Sequence, residues 1–205
     1  MLCFTTALLL NALLKLWIGV ETGQRLADDQ KLGALELLLS TPLTVGDILR
    51  GQFLALRRQF LGPLIFVFAV ELALTFAAAS HSPLYEARTH AFGNASLLIL
   101  AADLAALFWV AIASALTAKN PNQASINTIF RILILPWVLW LTIVTITNVW
   151  FMLHGSNELG WKFYLYLWVW LGLLADAVFG LSAWWLLRTR FRELALHRLS
   201  ISKPS

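Results

Sequence analysis

The sequence predicts an all-α, polytopic transmembrane helix bundle of about five spans, with a cytoplasmic amphipathic helix between the first two. Three observations carry that reading. Hydrophobic residues make up 60% of the 205-residue chain and charged residues only 13%, with a mean hydropathy of +0.75, whereas soluble domains carry charge at about a quarter of their positions. The apolar residues gather into long runs, and lipid is the natural solvent for so much apolar surface. Most Lys and Arg residues fall between those runs.

The runs are Leu2–Val20, Phe60–Ala79, Ala95–Ala118, Ile129–Phe151 and Phe163–Leu187. Each is long enough to cross a hydrocarbon core of ~30 Å at about 1.5 Å per residue. Helix is the only state in which runs of this kind satisfy their backbone groups in lipid. The first run lacks a basic leader and a well-placed small-residue cleavage site, so it reads as a span and not as a signal peptide. Residues 1–205 form a single membrane domain without internal repeats. Ten Trp and thirteen Phe fit the preference of aromatic rings for the membrane–water boundary.

The basic residues set the orientation. Arg25, Lys31, Arg50, Arg57, Arg58, Lys119, Arg131, Arg188, Arg190, Arg192, Arg198 and Lys203 fall on one side; Arg88 and Lys162 fall on the other. The richer side is cytoplasmic by the positive-inside rule, which puts the N-terminus outside and the C-terminus inside. The net charge of +4 is thus a topology signal, and no nucleic-acid partner is expected. Cys3 is the single cysteine, which excludes an internal disulfide or a cysteine metal cluster.

The cytoplasmic segment 21–52 carries the strongest functional signal. Leu32, Leu35 and Leu39 recur at helical spacing among Asp28, Asp29, Lys31 and Glu36, which describes a short amphipathic helix. Thr41-Pro42 ends it, because the residue before proline is driven out of the α region. Thr44-x-x-Asp47 resembles a capping box, opening a new helix through Ile48, Leu49, Phe53 and Leu54 into the second span.

The run Asp28-Asp29-Gln30-Lys31-Leu32-Gly33-Ala34-Leu35-Glu36-Leu37-Leu38-Leu39-Ser40-Thr41-Pro42, followed by Asp47-Ile48-Leu49-Arg50-Gly51-Gln52, resembles the cytoplasmic motif of type-2, export-class ABC transporter permeases. Ala34 stands where that family usually has Thr, Gln30 where it has a basic residue, and Gln52 where it has Lys. The resemblance implies that Leu32, Gly33, Leu35, Glu36, Leu39 and Pro42 belong to a coupling helix that docks on a separate ATPase subunit. It also implies a second copy of this chain or a related permease, location in a bacterial inner membrane, and ATP and Mg bound on the ATPase and not on this chain. Four spans follow the motif, as in the family. One span precedes it where the family has two, so the usual first span is missing by this comparison.

Three acids fall inside apolar runs: Glu71, Asp103 and Asp176. Charge at membrane depth is costly, so these should face the bundle interior and find partners. They could line a polar path or fix packing through interhelical hydrogen bonds, and Lys15 and Arg131 are the candidate partners. Thr142, Thr145, Thr147 and Asn148 offer a second polar stripe. Ala102 and Ala106, and Gly172 and Gly180, form small-residue faces that allow close helix approach. His81, His90 and His154 are loop histidines with no expected metal role.

The chain has no Gly-x-x-x-x-Gly-Lys loop, no His-Glu-x-x-His and no Gly-x-Ser-x-Gly. ATP binding or catalysis in this chain is not expected. The rival readings are an intramembrane enzyme built on Glu71, Asp103 and histidines, or a non-transporting membrane scaffold.

Overall fold

The computed structural model describes residues 2–31, 45–80, 86–118, 121–154 and 160–202. Every one of these is helical except Ala118 and Gly160. The elements are α1 (Leu2–Lys31), α2 (Val45–Ser80), α3 (Glu86–Thr117), α4 (Pro121–Ile129), a π-helical turn (Phe130–Ile134), α5 (Leu135–His154) and α6 (Trp161–Ser202). Segment 32–44, which holds Leu32, Gly33, Leu35, Glu36, Leu39 and Pro42, lies outside the described residues.

Among the described residues, four stretches are long and apolar enough to cross a membrane: Gly46–Ala78, Glu86–Thr117, Asn122–His154 and Trp161–Arg190. They correspond to the second through fifth expected spans. The first expected span, in α1, is not among these four. Asn11 and Lys15 fall within that run, and both point into the bundle, as shown below.

The helices reach further than the apolar runs. Residues 86–94 and 121–128, which lie between the apolar runs, are helical, in the first turns of α3 and in α4 respectively. Pro121 suits a first helical position, where no N–H is needed. Ala124, Ser125 and Thr128 are buried on one face of α4, while Asn122 and Gln123 are exposed on the other. α1 continues past Val20 to Lys31, and α2 begins at Val45, close to the expected capping box. α6 breaks at Arg190, whose φ of −126° and ψ of 15° leave the helical region.

α3 is the central helix, packing on α1, α2, α4 and α6, and 56% of its apolar window is buried against 6% for Asn122–His154. Leu100, Leu107 and Val110 are sealed inside. One apolar cluster joins Leu107, Val110, Ile112 and Leu116 of α3 to Ile132 and to Ala183 and Leu187 of α6. A second joins Leu14 and Ile18 of α1 to Leu56, Phe60 and Val67 of α2 around Leu100. Between these clusters runs a polar seam.

Candidate functional site in the membrane core

The seam begins on α1. Asn11 and Lys15 are one turn apart and so share a face, which is turned towards α3. There Ser96 and Asp103, two turns apart, share the facing stripe. α2 adds Glu71 and α6 adds Asp176. The buried polar groups include Asn11, Glu71, Ser96, Asp103 and Asp176, at 4%, 2%, 3%, 4% and 6% exposure. The three acids singled out in the sequence are therefore all interior, and Glu71 has partners, Asn11 and Ser96, that the sequence reading did not name.

Glu71 is the hub of the first group. Asn11 Nδ2 donates to Glu71 Oε1 at 3.0 Å and lies 3.0 Å from Ser96 Oγ, and Ser96 Oγ donates to the same Glu71 oxygen. Three helices, α1, α2 and α3, are thus tied at one point. Glu71 Oε2 and Asn11 Oδ1 are buried without a hydrogen-bond partner among the described residues. Helix approach is close here. A Cβ on Gly93 would fall 2.4 Å from Thr75 Oγ1 and 2.5 Å from Thr75 Cγ2, and Thr75 itself donates to the Glu71 carbonyl at 2.8 Å.

The second group is charged. Lys15 Nζ pairs with Asp103 Oδ2, the two side chains being 12% and 6% exposed. Of the two basic candidates, the partner is Lys15; Arg131 is exposed on the π-helical turn. The Asp176 carboxyl is buried near Asp103, and no N–H or O–H of the described residues donates to either of its oxygens.

The approach of α6 follows from its small residues. Gly172 and Gly180 sit one turn before and after Asp176, and a Cβ on Gly180 would be 3.4 Å from Ala106 Cα and Cβ. The expected small-residue faces of α3 and α6 meet at Ala106 and Gly180, which lets the short Asp176 side chain reach Asp103.

Both groups open onto one cleft of about 430 Å³, whose lining includes Asn11, Lys15, Ser96 and Asp103 on one side and Trp137 and Trp168 on the other. Ile132, Leu133, Ile134 and Pro136 complete its wall. The π-helical turn arises next to Pro136. Leu135 N–H bonds the Phe130 carbonyl five residues back, and proline can neither donate to the residue four before it nor pack against that carbonyl. Such widened turns recur at functional sites.

The threonine stripe of α5 is not part of the seam. Thr142, Thr145 and Thr147 each donate to the carbonyl four residues back in their own helix, at 2.7, 2.7 and 2.6 Å. Asn148 accepts from Tyr164 Oη at 2.7 Å. Neither His90 nor His154 joins the seam: His90 packs edge-on to Phe76, and His154 stacks on Trp150. Among the described residues no group of three His, Cys, Asp or Glu could hold a metal.

Asn11 and Ser96 were not read as site residues from the sequence. The signal for Asn11 was there, one turn from Lys15 within an otherwise apolar run. Ser96 gave none, because serine is common in membrane helices. Set against models of known protein families, curated proteins and solved structures, the chain matches none. Fold and site define an all-helical membrane protein with ionisable groups in its interior.

Proposed function

We propose that this chain is the membrane-spanning permease subunit of an ATP-driven exporter, moved by a separate ATPase that docks on Leu32–Pro42. The observation that carries the proposal is the cytoplasmic motif, Asp28–Pro42 with Asp47–Gln52, which resembles that of type-2 ABC permeases. α1 and α2 support it. Both helices run beyond their apolar stretches towards the motif, they pack on each other, and Gln59 Nε2 bonds Glu21 Oε1 at 3.2 Å near their cytoplasmic ends. A push on the segment joining them would travel along two stiff helices to Asn11, Lys15 and Glu71. In this reading α1 is the first of five spans, the acids of the seam belong to the polar path, and the exposed face of α5 meets lipid or a second permease.

The test is copurification of the ATPase with wild type, Leu35→Asp and Glu36→Arg, together with coupled ATP hydrolysis. An aspartate in an apolar contact costs several kcal/mol unless paired, so both variants should lose the ATPase while still inserting into the membrane. Unchanged binding and hydrolysis in both would leave the segment as a surface anchor.

A further inference from the structure

A second cleft, separate from the polar seam, opens between α2, α3 and α6, with a volume of about 860 Å³. Its two ends differ chemically. Arg50, in the second turn of α2, and Arg188, at the end of the α6 span, stand at one end. Both are exposed, and neither has a carboxylate partner among the described residues. Gly46, in the first turn of α2, also lines this end, where helix N–H groups lack intrahelical acceptors.

The other end is apolar. Leu104 and Ala105 of α3 lie next to Asp103, at the middle of the bundle, and Phe108 and Trp109 carry the wall towards the arginines. The stretch from Leu104 to Trp109 covers about 7–8 Å of helix. Phe53 packs edge-on to Phe108 with ring centroids 5.2 Å apart, and Phe108 does the same to Trp109 at 4.9 Å. Arg188 lies 5.3 Å from the ring centroid of Trp184. A guanidinium held by cation–π attraction keeps its edge N–H groups available for a bidentate anion.

We infer that this cleft binds an anionic phospholipid of the Arg-rich leaflet, its phosphate between Arg50 and Arg188 and the first carbons of its acyl chains along Phe53, Phe108 and Trp109. Charge complementarity and depth together select this occupant. Two guanidiniums with no carboxylate partner among the described residues call for an anion, and the apolar wall running from them into the bilayer calls for a chain attached to it. Basic pockets between spans on the cytoplasmic side recognise anionic headgroups in this way. A soluble phosphate would leave the wall bare, and a zwitterionic lipid would bring its own cation to the arginines.

The purified chain, reconstituted in discs of equal phosphatidylglycerol and phosphatidylcholine, tests this by native mass spectrometry after release. Wild type is expected to retain phosphatidylglycerol about tenfold over phosphatidylcholine, whose choline cation offsets its phosphate beside the two arginines, each worth about 1 kcal/mol towards net negative lipid. Arg50→Gln and Arg188→Gln should each lower that preference, and the pair should abolish it. Arg57→Gln, exposed on the same helix but outside the cleft, should not change it.

Equal retention of the two lipids by wild type overturns the proposal even if the variants fail to fold. So does an equal loss in Arg57→Gln, which would make the preference a general charge effect. Displacement of the lipid by millimolar inorganic phosphate would show a phosphate site without a chain requirement, and a shift from dimer to monomer in the double variant would make the cleft an interface between copies. Either result also overturns it.

Discussion

Lys15 of α1 and Asp103 of α3 form an ion pair near the centre of the helix bundle, their side chains 12% and 6% exposed, with the buried Asp176 of α6 nearby. Breaking a buried pair by removing one partner leaves an uncompensated charge and costs about 3–5 kcal/mol, whereas replacing both with apolar residues can be neutral. Lys15→Met and Asp103→Leu should therefore each lower the thermal midpoint in detergent strongly. The double variant should recover most of the loss. Additive losses in the double variant would show that the two side chains do not act as a pair.

The acids can be separated from their charges. In Glu71→Gln the Oε1 acceptor for Asn11 and Ser96 survives, and in Asp176→Asn the new amide can donate to Asp103. Both variants should assemble and unfold much like wild type. If the seam is the transport path, coupled ATP hydrolysis should fall in both. Wild-type hydrolysis in both would assign the acids to packing alone.

Gly93 and Thr75 give a prediction of sign. Gly93→Ala gains about 0.5–1 kcal/mol of helix preference. Its Cβ, however, would press on Thr75 at 2.4–2.5 Å, and overpacking costs about 1–3 kcal/mol. Thr75 has little freedom to yield, since it is β-branched and bonded to the Glu71 carbonyl. The substitution should destabilise wild type and stabilise a Thr75→Ala background. Unfolding midpoints of the four proteins measure the cycle.

Topology is tested by labelling. With Cys3→Ser as background, a cysteine at Ser82 should react with a membrane-impermeant maleimide on intact cells, and one at Ser205 should react only after permeabilisation. Reaction of the Ser205 position from outside would reverse the orientation drawn from the basic residues.

The sequence by itself determined the all-helical class, the four apolar spans after the first loop, and the interior position of Glu71, Asp103 and Asp176. These follow from local rules: a long apolar run has only helix open to it in lipid, and a carboxyl group inside that run must turn from lipid towards other helices. The sequence could also name small residues as packing faces, and Ala106 and Gly180 meet as such.

Tertiary structure alone decided who meets whom. Lys15 and Asp103 are 88 residues apart, and nothing local prefers that pairing over Arg131. Asn11 and Ser96 became site residues only when α1, α2 and α3 converged on Glu71. The threonines of α5, equally polar in sequence, satisfy themselves on their own backbone and stay out of the seam. The helical state of 121–128 was hidden for a related reason: most of those residues are polar, and they are held as helix by Pro121 at the first turn and by the burial of Ala124, Ser125 and Thr128. Pairing across helices depends on which faces are turned together, and a periodic pattern fixes the face of a helix without fixing its neighbour.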